Sequence, residues 1–193
     1  MIGKSFSLAA LILITTTATA AAAPPPCVRF EPPAPFNPST VFGAPAGHSN
    51  GDLAFVSNGI SGYLWKFVWA SSGTIFNLAR VETPPVPFAS GQSLRLNNIN
   101  VDFLFPALLP RTVQIAFLDL GGYENLRVNN SSIYVGELTA APAALGAATV
   151  SVAWTPLAPP SSGKRGVLTI QGKAIQHVWI GGQELWIDDV CGF

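Results

Sequence analysis

Gly182-Gln183-Glu184-Leu185-Trp186-Ile187-Asp188-Asp189-Val190-Cys191, close to the C-terminus, repeats a pattern already present at Gly91-Gln92-Ser93-Leu94-Arg95-Leu96-Asn97-Asn98-Ile99. Each copy has Gly-Gln-x-Leu, a branched apolar residue two places on, a pair of Asn or Asp residues, then Ile or Val. Alternating apolar residues mark a strand with one buried face, because successive side chains point to opposite faces. In the first copy Leu94, Leu96 and Asn98 share a face, whereas downstream Ile99, Val101, Phe103 and Phe105 carry the opposite parity. A switch of parity requires a bulge or a break, and the pattern predicts one at Asn97-Asn98. In the second copy Leu185, Ile187, Asp189 and Cys191 share a face, with Trp186, Asp188 and Val190 opposite. That reading directs Asp189 toward the core, where a carboxylate needs a partner.

Outward from this motif, short apolar stretches alternate with turn residues: Ser57-Asn58-Gly59, Ser71-Ser72-Gly73, Gly121-Gly122, Asn129-Asn130-Ser131-Ser132 and Ser161-Ser162-Gly163. Val113, Ile115 and Phe117 alternate with Thr112 and Gln114, and Leu168 and Ile170 with Thr169 and Gln171. Both patterns describe strands with one wet face, as in an antiparallel sandwich. Roughly ten to twelve short strands without amphipathic helices predict an all-β, antiparallel β-sandwich.

Composition agrees. Helix formers are scarce, while Gly (18), Pro (17) and Phe (12) are plentiful. Ten basic and ten acidic residues leave no net charge and no basic patch, so nucleic acid is not an expected partner. Met1–Lys4, Leu8–Ile14 and Ala18–Ala23 read as the three regions of a signal peptide over residues 1–23. No later apolar run is long enough to predict a membrane helix. The expected product is a secreted chain, extracellular or periplasmic, with one domain at 24–193.

Two cysteines, Cys27 and Cys191, stand near the ends of that domain. In an exported protein such a pair is expected to form a disulfide. If the two face each other on antiparallel strands, Arg29 falls opposite Asp189 and Glu31 opposite Ile187. Two arrangements then neutralise Asp189. One is an ion pair with Arg29; the other is a structural calcium held by Glu31, Asp188 and Asp189 with help from backbone carbonyls.

Phe30-Glu31 near the start and Trp186-Ile187-Asp188-Asp189-Val190 near the end resemble the terminal strands of jelly-roll carbohydrate-binding modules of the galactose-binding-like superfamily. The resemblance covers about ten residues. It implies a jelly roll with adjacent N- and C-terminal strands, and a structural calcium at Glu31 and Asp189.

Sugar binding directs attention to the aromatics, because a pyranose presents an apolar face to a ring. Trp65, Trp69, Trp179 and Trp186 are the candidate ligand-binding residues. Tyr63, Trp65, Phe67 and Trp69 share one strand face, opposite Leu64, Lys66 and Val68; such a face is more often core than platform. Trp186, opposite Leu185 and Ile187, is the tryptophan expected to be most exposed. His177 has no second His or Cys at ligand spacing, which argues against zinc. Asp102, Asp119, Glu124, Glu137 and Glu184 show no spacing that recommends a catalytic pair, and nucleophile elbows and phosphate loops are absent. The expectation is therefore a non-catalytic domain that binds polysaccharide or a cell-surface glycan. The alternative is an exported structural or adhesive domain with no small-molecule ligand.

Overall fold

The computed structural model describes residues 24–33, 35–106 and 109–193. The predicted signal peptide lies outside the described residues. In chain order the strands are Cys27–Val28 (β1), Val41–Gly43 (β2), Leu53–Ser57 (β3), Ile60–Val68 (β4), Thr74–Ile75 (β5), Leu78–Glu82 (β6), Ser93–Asn97 (β7) and Ile99–Leu104 (β8). They continue as Thr112–Asp119 (β9), Glu124–Val128 (β10), Tyr134–Gly136 (β11), Ala144–Leu145 (β12), Ala148–Pro156 (β13), Lys164–Gln171 (β14), His177–Gly182 (β15) and Leu185–Gly192 (β16). The described residues thus hold sixteen strands, eleven of them with five residues or more, against the ten to twelve that the sequence spacing predicts. Helix among the described residues is limited to two three-residue 3-10 turns, Ala44–Ala46 and Leu138–Ala140. No described helix is long and apolar enough to cross a membrane.

Two antiparallel sheets form. The first runs β12-β13-β14-β9-β16-β7-β6-β2, with β1 also beside β16; the second runs β11-β10-β15-β8-β4-β3, with β5 beside β4. The last two strands are inserted centrally, β16 between β7 and β9 and β15 between β8 and β10. The resulting quartets, β7-β16-β9-β14 and β8-β15-β10-β11, have the order of a jelly roll. Between the sheets lies one apolar core, including Leu94, Leu96, Val101, Phe103, Ile115, Phe117, Leu168, Ile180, Leu185 and Ile187. Phe30, Phe36, Phe42, Phe55 and Phe103 form a connected aromatic group within it, with centroids 4.9–6.1 Å apart.

The repeated motif forms neighbouring strands. Leu94 pairs with Ile187 and Leu96 with Leu185 across the β7–β16 ladder. The break predicted at Asn97-Asn98 is present: Asn98 has φ 53°, and the chain passes there from β7 in the first sheet to β8 in the second. The second copy breaks at the same place. Asp189 has φ 46°, and the β16–β9 register slips between Asp188 and Cys191.

This bulge corrects the inward orientation expected for Asp189. Parity reverses at Asp188-Asp189, so Val190 joins Leu185 and Ile187 in the core while Asp189 reaches the surface. β1 then pairs with the far half of β16, Cys27 against Cys191 and Val28 against Val190, and the predicted Cys27–Cys191 disulfide closes there.

Candidate functional site

The second sheet carries the most chemically varied face. Leu126, Val128, Val178, Ile180, Val101, Phe103 and Leu64 point into the core. Their strand neighbours therefore line the opposite, outer face. One row across that face reads Arg127, Trp179, Asp102, Tyr63 on β10, β15, β8 and β4; the next reads Asn125, Gly181, Asn100, Trp65.

Gly181 explains how the tryptophans meet. A Cβ there would stand 2.0 Å from Asn100 Oδ1, so only glycine leaves room for the asparagine to lie across it. Trp65 and Trp179 stack beside this gap, with centroids 4.6 Å apart and planes 23° from parallel. The Arg127 guanidinium lies 4.8 Å from the Trp179 ring centre. This is cation–π distance, and the ring faces make the attraction favourable. Next to the stack, His177 Nδ1 is 2.9 Å from Asp102 Oδ2 and 3.2 Å from Oδ1. Asp102 is buried, which pushes its carboxyl above the ordinary carboxylate range; the imidazole of His177 opposes the shift. Held at Nδ1, the half-exposed His177 turns Nε2 away from Asp102.

The remainder of the face is covered by the protein itself. Asn125 Oδ1 accepts from Val68 N at 2.8 Å, and its Nδ2 donates to Val68 O at 3.0 Å. Asn100 Nδ2 donates to Lys66 O at 2.7 Å. These bonds draw the end of β4 over the sheet and bury Phe67. The Tyr63–Trp69 aromatic stripe is thus divided: Tyr63 and Trp65 are half-buried on the outer face, while Trp69 packs edge-on against Phe67, 5.4 Å away.

Trp186 requires a correction. It does lie opposite Leu185 and Ile187, but that face is not wet. Residues between β6 and β7 fold back over it, and Val86 and Phe88 pack with Leu118, Leu157 and Leu120 around the indole. Trp186 is 4% exposed, its Nε1 donates to Glu82 Oε1 at 3.0 Å, and Arg95 covers the ring at 5.1 Å. The exposed tryptophan is instead Trp154, at 45%.

The residues expected to hold calcium each have a protein partner. Asp189 Oδ1 accepts from Arg29 Nε at 2.9 Å on the surface. Asp188 is buried, and Phe30 N approaches its Oδ1 at 3.4 Å. Glu31 does not reach Ile187; its Oε1 accepts from Gln92 N at 2.6 Å, in the first copy of the motif. β1 ends at Val28, so the register that places Arg29 carries no further.

Comparison with protein-family models, with curated proteins and with solved structures found no match. Of the outer-face group, the tryptophans were legible in the sequence. Asp102 was visible as one of several carboxylates with no partner spacing to recommend it, and Arg127 gave no signal. Nothing in spacing along the chain indicates that β10, β15 and β8 lie side by side.

Proposed function

We propose that this is an exported, non-catalytic jelly-roll domain that binds glycan on the outer face of its second sheet. The observation that supports this reading is the stacked, half-buried Trp65–Trp179 pair, set among hydrogen-bonding side chains on the solvent side of a rigid sheet. Aromatic surface for the apolar face of a sugar, with Tyr63, His177 and Arg127 beside it for hydroxyls, is the usual composition of a small-ligand surface. Sheet-mounted groups also lose little entropy on binding.

The alternative, a structural or adhesive exported domain, is favoured by one feature of the same pair. Trp179 has both Trp65 and the Arg127 guanidinium packed against its ring, which leaves it less free surface for a sugar. Trp65 is then the ring that must stack. Retention on a panel of insoluble and soluble polysaccharides separates the two readings. The glycan reading expects retention that Trp65→Ala abolishes. No retention on any polysaccharide, or retention indifferent to Trp65→Ala and Trp179→Ala, overturns it.

A further inference from the structure

At one end of the inter-sheet core, three carboxylates converge from different parts of the chain. Asp119 closes β9 in the first sheet, Glu124 opens β10 in the second, and Glu137 lies in the segment after β11. Each offers an oxygen within 4.8 Å of the others. Asp119 and Glu124 are buried, and Glu137 is half-exposed, so the cluster opens to solvent on one side.

The partners of these oxygens are incomplete. Glu124 Oε2 accepts from Leu138 N at 2.8 Å, and Asp119 Oδ1 accepts from Gly121 N at 2.8 Å. Glu124 Oε1 is buried without any partner among the described residues, on a side chain with no exposed surface. A buried polar oxygen left unpaired, ionised or protonated, is costly, and native structures rarely keep one without a ligand, ion or water to fill it. One cation is already at the rim: Lys164 Nζ donates to Glu137 Oε2 and lies 3.3 Å from Thr139 Oγ1. A single ammonium on the exposed member does not satisfy the buried one.

We propose that Asp119, Glu124 and Glu137 bind a divalent cation, calcium by its ligand chemistry, with Lys164 as the ammonium that yields to it. Every donor is a hard oxygen, which disfavours zinc and copper. The carboxylates come from two sheets and a loop, without the compact octahedral set that magnesium demands; calcium accepts six to eight irregular oxygen ligands, water included. Lys164 would keep a partner when Glu137 turns to the ion, because its Nζ already lies 5.8 Å from the ring centre of the exposed Trp154. The site is distinct from the Glu31, Asp188 and Asp189 group that the sequence nominated, and it does not depend on the glycan reading.

The test uses the full domain stripped with EDTA and titrated with calcium, followed by melting temperature and by terbium luminescence. Tyr134, whose hydroxyl donates to Glu137 O at 2.8 Å, is placed to sensitise the lanthanide. Calcium should raise the melting temperature by several degrees, and terbium should luminesce and be displaced by calcium. Glu124→Gln keeps the shape of the side chain and should weaken calcium at least tenfold. Lys164→Gln, which removes the competing ammonium, should tighten it several-fold. Asp119→Asn, which leaves the Lys164–Glu137 bond in place, serves as a second ligand variant. No thermal shift and no terbium signal would overturn the proposal. So would a calcium response that Glu124→Gln, Asp119→Asn and Lys164→Gln all leave unchanged, which would place the ion elsewhere.

Discussion

Asn98 and Asp189 occupy equivalent positions in the two copies of one motif, and both adopt left-handed backbone, φ 53° and φ 46°. Asn and Asp tolerate this conformation because a short polar side chain can bond locally, whereas a β-branched residue cannot relieve the clash. The conformation reverses strand parity in both copies. In one it sends the chain into the other sheet, and in the other it turns Asp189 outward to Arg29.

Two effects at Asp189 can be separated by substitution. The Arg29–Asp189 pair is exposed, with side chains 61% and 38% accessible, so solvent screening limits it to less than ~1 kcal/mol. Asp189→Asn should therefore change the urea midpoint little. Asp189→Val should cost about 1–2 kcal/mol more, because the backbone remains left-handed. Equal losses for the two variants would show that the ion pair, not the bulge, sets the residue.

The disulfide joins positions 164 residues apart. Closing so long a loop restricts the unfolded chain strongly, by about 5 kcal/mol in the chain-entropy treatment. The Cys27→Ser, Cys191→Ser double variant should show a urea midpoint lowered in proportion. A loss below ~1 kcal/mol would mean that the β1–β16 pairing alone holds the termini together.

Trp186 anchors the covering segment between β6 and β7. Trp186→Ala should cost about 3–5 kcal/mol, as for other large buried aromatics. Trp186→Phe should cost less, about 1–2 kcal/mol, because it removes the indole bond to Glu82 while keeping most of the packing. Limited proteolysis should then cut within residues 83–92 faster in Trp186→Ala than in the unsubstituted chain. Unchanged cleavage would show that the segment is held by other contacts.

Stability should fall as pH rises through neutrality in calcium-free buffer. Burial, with the Asp119 and Glu137 charges adding to it, raises Glu124 to about 8; Leu138 N and Lys164 oppose the shift. Burial, with Asp189 and Glu31 adding, raises Asp188 to about 7, against hydrogen bonds from the Asp189 and Phe30 backbone. Both groups are protonated in the folded chain at pH values where the unfolded chain has released its protons. Their stabilisation is complete below the ordinary values of 4.5 and 3.8, and is lost as pH rises through the raised ones. The melting temperature should decline from about pH 4 to pH 8, and Glu124→Gln with Asp188→Asn should flatten the decline. A melting temperature that rises across that interval would contradict the shifts.

The bulge at Asn97-Asn98 was legible because apolar parity changes on either side of it. The corresponding bulge in the second copy was hidden, because Cys191 looks like a continuation of Leu185 and Ile187. An uninterrupted strand and a bulged one leave the same pattern when the residues beyond are apolar on both parities. The position of Trp186 was legible as a strand face, but its environment was not, since the covering Val86 and Phe88 come from a Pro-rich stretch with no periodicity.

By itself the sequence determined what depends on neighbours along the chain: strand period, turn sites, the all-β class, and the pairing of two lone cysteines with the register that follows from it. Apart from the β1–β16 pair that the cysteines implied, tertiary structure alone decided which strands lie side by side. That assembled Trp65, Trp179, Arg127, Asp102 and His177 on one face, and brought Asp119, Glu124 and Glu137 together from two sheets and a loop. The physical reason is that side-chain alternation is a local property. Strand order instead follows from burying all the apolar faces together, and no single segment specifies it.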